Sequence, residues 1–151
     1  MKAILIMGSK ADINFCKKIA DKLAFFGIDC EMKVASAHKT PMRVLEIIRE
    51  FENEDVVFVT VAGRSNALSG FVDANTTKPV IACPPVSESF AGMDILSSLR
   101  MPSGVAPMVV LEPENCALAV AKIFGIKNEN IRKKILEYQV NKKREIEEAE
   151  I

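Results

Sequence analysis

The stretch VVFVTVA, Val56 to Ala62, constrains the fold more than any other part of the chain. A strand with one wet face alternates apolar and polar residues with period two. This run has no such stripe, and it is dominated by β-branched side chains. It therefore suits a central strand covered on both faces, which is characteristic of parallel sheets. Parallel neighbours need long crossover connections, usually helices. The remaining sequence should then alternate between short strands and amphipathic helices.

It does so throughout. Ala3–Met7 is an apolar run stopped by Gly8-Ser9. From Asp12 to Phe26 the residues Ile13, Cys16, Ile19, Ala20, Leu23 and Phe26 recur with helical spacing. Gly27 closes that helix, and Asp29–Ala35 reads as a second strand. Thr40 is expected to cap a second helix with Pro41 at its first position and Val44, Leu45, Ile48 and Phe51 along its stripe. After the central strand come a turn at Gly63–Asn66 and a short helix over Ala67–Thr76. Pro79–Cys83 reads as a fourth strand, Pro84–Phe90 as an irregular loop, and Met93–Leu99 as a helix. A loop at Met101–Gly104, a fifth strand over Pro107–Leu111 and a helix over Pro113–Phe124 follow. Asn128 to about Glu148 is a last, highly charged helix, expected to pack on another subunit through Ile131, Ile135 and Tyr138. Alternation of this kind implies an α/β fold with helices on both faces of a parallel sheet and right-handed crossovers. Five strands favour a flavodoxin-like doubly wound sheet, a three-layer αβα sandwich whose ligands bind beyond the carboxyl ends of the strands.

The chain has 151 residues, which favours one domain. A catalytic α/β part over residues 1–125 is expected, with 126–151 as its helical extension. Lysine plus arginine and aspartate plus glutamate balance at 20 each. A nucleic-acid or anionic-membrane partner calls for a basic surplus that is absent here. The four cysteines form no CxxC pair and stand among apolar neighbours, and there is one histidine. That supply argues against a zinc site and for buried reduced thiols. The apolar run at the N-terminus is too short to span a membrane and lacks a small-residue cleavage pattern, so a cytoplasmic protein is expected.

The loops at the strand ends carry the chemistry. Gly8-Ser9-Lys10-Ala11-Asp12 follows the first strand, with Ser9 and Asp12 at capping-box spacing. A helix start after a glycine turn offers free N–H groups to an anion. Asp12 would face ligand hydroxyls, because a carboxylate repels a phosphate. Ser36-Ala37-His38-Lys39-Thr40 follows the second strand and holds the only histidine, beside a lysine. Gly63-Arg64-Ser65-Asn66 follows the third strand, and the rigid Pro84-Pro85-Val86-Ser87 follows the fourth. Near the fifth lies Arg100-Met101-Pro102-Ser103-Gly104. Together these rims imply a small anionic ligand and proton transfer. They do not name a reaction.

Other chemistries fit less well. Gly63-x-Ser65-x-Ala67 is nearly a nucleophile elbow, but the histidine of such a triad follows its serine, and His38 precedes it. A phosphoacceptor domain needs an aspartate where the third strand ends Ala62-Gly63-Arg64. A flavin carrier wants aromatic rings, and the chain has no tryptophan and one distant tyrosine, Tyr138. Neither GxxxxGK[ST] nor GxGxxG occurs.

Taken in order, Gly8-Ser9-x-x-Asp12, FGI at Phe26–Ile28, SAHKTP, AGRSN, ACPP, SSLRMPSG and NCALAVAKIFG resemble the phosphoribosylaminoimidazole carboxylase family of purine synthesis. The likeness runs from about Met7 to Gly125. One class of that family, the mutase, moves a carboxylate from N5 of a carboxyamino ribonucleotide to C4, and typically reads GGAAHLPG after the third strand. The other uses carbon dioxide directly and reads GRSN there. Gly63-Arg64-Ser65-Asn66 matches the second class, and Ala67 stands where the mutase carries a second histidine.

The resemblance implies 5-aminoimidazole ribonucleotide and carbon dioxide as substrates, with no metal, biotin or ATP. It implies a homo-oligomer, an octamer, with shared sites. His38 is the expected base. Gly8, Ser9, Asp12, Ser36, Ala37, Lys39, Gly63, Arg64, Ser65 and Asn66 are the expected substrate-binding residues. Arg100 and Met101 are expected to reach a neighbouring subunit's site. One departure is Ala11, where the family usually has serine; the lost hydroxyl is worth on the order of 1 kcal/mol for one hydrogen bond.

Overall fold

The computed structural model describes residues 1–149. Strands β1 (Lys2–Met7), β2 (Asp29–Val34), β3 (Val56–Val61), β4 (Val80–Ala82) and β5 (Met108–Val109) alternate with six helices. These are α1 (Ile13–Phe26), α2 (Pro41–Glu50), α3 (Leu68–Asp73), α4 (Leu96–Leu99), α5 (Pro113–Gly125) and α6 (Glu129–Glu147). The strands form one sheet in the order β2-β1-β3-β4-β5, and every pair is parallel. This is the doubly wound, flavodoxin-like order expected from the sequence, with its switch between β1 and β3.

All six residues of β3 are buried, as an uninterrupted apolar run requires. Its side chains, with those of β1, feed two cores. Ala3, Leu5, Met7, Val57, Val59 and Val61 pack beneath α1 and α5. Ile4, Ile6, Val56 and Phe58 pack beneath α2 and α3. Phe58 has no exposed surface, so Phe58→Ala belongs to the class of core truncations costing about 3–5 kcal/mol.

Two expectations need correction. Ile131, Ile135 and Tyr138 of α6 do not wait for another subunit. Ile131 and Ile135 join this chain's own core, and the Tyr138 ring meets Phe25 and Phe26 edge-on at 5.9 and 5.6 Å. The apolar residues that α6 leaves exposed are Leu136, Val140 and Ile146. Thr40, read as a cap for α2, makes no side-chain cap bond. Its hydroxyl instead accepts from the Ser36 N–H at 2.9 Å and tightens the loop that carries His38. Elsewhere the elements are shorter than read. β5 has two residues, and the segment Met93–Leu99 is a 3₁₀ turn (Met93–Ile95) running into α4.

The four cysteines are free. Burial pushes the Cys16 thiol up to about 12 and the Cys30 thiol up to about 11, so both stay protonated. Cys83 is pushed upward too, mainly by its hydrogen bond with Cys116. Among the described residues no helix is long and apolar enough to cross a membrane, and no cluster of three or more histidine, cysteine or acidic side chains could hold a metal ion.

Candidate active site

The carboxyl ends of β1, β2, β3 and β4 open into one cleft of about 570 Å³, within the range of small-ligand sites. Gly8, Ser9 and Asp12 line it from the β1 loop, and Ser36, Ala37, His38 and Lys39 from the β2 loop. Gly63, Arg64 and Ser65 line it from the β3 turn. Ala67 and Leu68 lie below that turn, and Pro85, Val86 and Ser87 form the opposite wall. Four loops far apart in sequence thus meet where the strand order reverses.

The wall built from the β1 and β2 loops is held by short-range bonds. After β1 the chain makes a 3₁₀ turn over Lys10–Asp12 before α1. Ser9 Oγ accepts from the Ala11 N–H at 3.2 Å, and the Asp12 N–H donates to the Ser9 carbonyl at 3.2 Å. The hydroxyl proton of Ser9 stays available to a ligand. Partial burial raises the Asp12 carboxyl above its ordinary value, and the Ser9 N–H opposes that rise. In the next loop the Lys39 N–H donates to Ser36 Oγ at 3.3 Å, and the Thr40 N–H to the Ser36 carbonyl at 2.8 Å. His38 and Lys39 are exposed at the crest of this closed turn, and Lys39 has no ion pair among the described residues.

The opposite wall is tied over long sequence distances. The Arg64 N–H donates to Asp94 Oδ2 at 3.0 Å, and the Ser87 N–H donates to Asp94 Oδ1 at 3.4 Å. Ser97 Oγ accepts from the Asn66 N–H at 3.0 Å and lies 2.8 Å from both the Arg64 and Asp94 carbonyls, to which it offers its one proton. Arg64 has φ of 57°, a left-handed conformation that costs a non-glycine residue roughly 1–2 kcal/mol. Gly63, its neighbour, is not left-handed. It is small because a Cβ there would meet the Pro85 carbonyl at 3.0 Å. The Arg64 side chain is exposed.

Three expected residues lie outside this cleft. Asn66 is buried; its amide donates to Ser98 Oγ at 2.9 Å and its Oδ1 accepts from the Ser69 N–H, so its side chain is spent on structure. Met101 packs its sulfur against Gly70, where a Cβ would meet it at 3.0 Å. Arg100 is exposed and does not line the cleft. The N–H groups of the β3 turn are also mostly committed, since those of Arg64, Asn66 and Ala67 all have acceptors. Asp94 and Ser97 were not singled out from the sequence. They act across some thirty residues, and no local spacing marks them.

Comparison with known proteins adds a separate line. The sequence model of a family described as AIR carboxylase matches residues 2–145. A phosphoribosylaminoimidazole carboxylase from Archaeoglobus fulgidus is 70% identical over 150 residues, covering 99% of this chain and 83% of that protein. A bifunctional phosphoribosylaminoimidazole carboxylase/phosphoribosylaminoimidazole succinocarboxamide synthetase from Rattus norvegicus is 42% identical, covering 93% of this chain and 33% of that one. The crystal structure of PurE from Treponema denticola superposes with a TM-score of 0.94 at 47% identity, covering 97% of this chain and 94% of that one.

Proposed function

The chain belongs to the AIR carboxylase family, and from that premise we propose that it joins carbon dioxide to C4 of 5-aminoimidazole ribonucleotide with His38 as proton acceptor. One observation carries this reading. His38, the anion-suited loop at Ser9 and the Gly63 turn share a single cleft at the strand switch.

The exocyclic amino group makes the imidazole an enamine. C4 attacks the carbon of carbon dioxide, a C–C bond forms, and one C=O electron pair moves onto oxygen to give a carboxylate. The ring is then cationic and still holds a hydrogen on C4. His38 takes that proton and the C–H electrons restore aromaticity. An imidazole suits the task because its ordinary titration lies near neutral pH, and such help is worth roughly 10²–10⁴-fold. His38 is exposed, so the proton passes on to water.

The remaining roles follow from what each group still has to offer. The hydroxyls of Ser9 and Ser36 accept backbone N–H bonds and keep their protons for the phosphate, with Lys39 supplying charge. Asp12, beside the Gly8 turn, takes ribose hydroxyls. Ala37 contributes the backbone surface between Ser36 and His38. In the β3 turn the N–H groups of Gly63 and Ser65 have no acceptor among the described residues, and with the Arg64 guanidinium they receive the forming carboxylate. The reaction as written needs no metal, biotin or ATP.

The direct use of carbon dioxide, rather than transfer from the N5-carboxyamino isomer, is favoured by Ala67. This small residue faces the cleft where the mutase class carries a histidine. The experiment is a substrate comparison. Turnover is expected with the aminoimidazole ribonucleotide plus dissolved carbon dioxide. Turnover only with the N5-carboxyamino isomer would assign the mutase.

We also propose that the chain works in the cytoplasm as a homo-oligomer, the octamer that the resemblance implies. The support is the surface of the segment 90–99, where Phe90, Met93, Leu96 and Leu99 are each more than half exposed. Patches of this kind mark association surfaces. Arg100 and the Met101–Gly104 loop continue from it, and in this reading Arg100 and the loop's exposed Pro102–Gly104 tip reach a neighbouring copy. Light scattering that finds only monomers would overturn this.

A further inference from the structure

The cleft has two walls, and only one is joined to the rest of the molecule by its own local bonds. The other consists of the Gly63–Asn66 turn and the segment 84–99, where Pro84 is buried and Pro85 and Ile95 are half-buried but Phe90, Met93, Leu96 and Leu99 are exposed. Beyond the buried root at Pro84, its two halves are tied together by polar contacts. The Asp94 carboxylate uses one oxygen on the Arg64 N–H and the other on the Ser87 N–H, so a single side chain spans both halves of the wall. Gly63 passes between that carboxylate and the Pro85 carbonyl; a Cβ on it would lie 3.8 Å from Asp94 Oδ2 and 3.0 Å from Pro85 O. Arg64 is held left-handed within the same contact, and Ala91 and Gly92, also left-handed, bend the chain so that Asp94 can turn back.

We propose that Asp94 is a positioning residue for the carboxylation step, acting through the Arg64 and Ser87 N–H groups to set where the free donors at Gly63 and Ser65 sit. This deepens the carboxylase reading and rests on it. A two-acceptor anion is the chemistry required, because two backbone donors converge from different segments. Asparagine supplies one acceptor oxygen and replaces the other with an NH₂ group that faces a donor. Asp94→Asn therefore releases half of the wall while changing volume little. The phosphate-binding wall, built from the β1 and β2 loops, has no bond to Asp94 and stays in place.

The test measures three quantities on the full chain: thermal midpoint, nucleotide affinity by calorimetry without carbon dioxide, and kcat with carbon dioxide varied. For Asp94→Asn, kcat is expected to fall about 10–100-fold, the range for misplaced oxyanion donors and reacting groups. Nucleotide affinity is expected to stay within about threefold of wild type. A purely structural role would instead weaken nucleotide binding and turnover together, and that outcome overturns the proposal, as does a kcat within twofold of wild type. Should Asp94→Asn fail to fold, Asp94→Glu carries the test, since it keeps both acceptor oxygens on a longer arm. It should show the same split in milder form, and an unchanged kcat overturns the proposal again. Wild type with no carboxylation at all would defeat the underlying reading, whichever way the variants behave.

Discussion

The two walls of the cleft are built by opposite means. The β1 and β2 loops close on themselves: the bonds within Ser9–Asp12 and Ser36–Thr40 join residues two to four apart. The β3 turn and the segment after β4 are closed by bonds between residues some thirty apart, centred on Asp94 and Ser97. The first wall carries charge and the proton acceptor at exposed positions. The second carries a strained turn, a glycine wedged against a carbonyl and a buried amide. A wall made of local turns should tolerate changes at its tips without losing its shape, whereas one made of distant contacts should transmit any change in packing to the donors it presents.

The substitution with the largest expected effect tests the local wall. His38→Asn should lower turnover by at least about 10²-fold. Because His38 is exposed on a turn closed by its neighbours, stability should move by no more than about 0.5 kcal/mol. Single-turnover kinetics and calorimetric nucleotide binding check this; binding lost in step with turnover would mean that the histidine shapes its wall, against the contrast drawn above. The distant wall is tested by Gly63→Ala. The new Cβ would face the Pro85 carbonyl at 3.0 Å, and backbone cannot swing aside as a side-chain tip can. A cost of about 1–3 kcal/mol is expected from overpacking, with roughly tenfold lower turnover, read by denaturant titration and steady-state rates. If both stayed at wild-type values, the second wall would be as forgiving as the first.

The smallest effect belongs to Asp12→Asn. Burial raises this carboxyl above its ordinary 3.8, so the folded chain holds the ionised form at some cost. That cost is absent below the ordinary value, sets in as pH rises through the raised one, and is complete at neutral pH. The asparagine variant should accordingly melt slightly higher than wild type at pH 7, with the gain vanishing at pH below 3.8. It should bind nucleotide more weakly. A melting difference independent of pH would show that ionisation is not its cause.

The same contrast explains what could be read from the sequence. The central strand announced itself through its unbroken apolar run, and the switch in strand order was expected from the alternation together with the count of five strands. His38, Lys39, Ser9 and Asp12 were legible because a loop at a strand end, with serine, glycine or threonine at short spacing, is a local pattern. Asn66 was legible as a polar residue but not as a buried one, because its partners Ser98 and Ser69 are supplied by two different helices. Asp94 carried no signal, since its partners lie on other loops. Gly63 was noticed as a turn former, but the positive φ falls on Arg64, and only the approach of Pro85 explains the glycine. In the last helix it is the roles of Ile131, Ile135 and Tyr138 that the sequence does not resolve. Its apolar stripe was readable, but a stripe does not say which surface covers it, and α1 and α5 supplied one within the same chain.

The brevity of β5 has a consequence for motion. It adds only the pairs Ile81–Met108 and Ala82–Val109 to the sheet, whereas β1 is matched along its full length on both sides. Amide protons should therefore exchange with solvent at rates graded across the sheet, slowest in β1 and β3 and fastest at the β5 margin. The proline-rich wall springs directly from β4, one strand in from that loose margin, so transient fraying there gives the cleft a built-in way to breathe without disturbing the strands that carry the histidine loop.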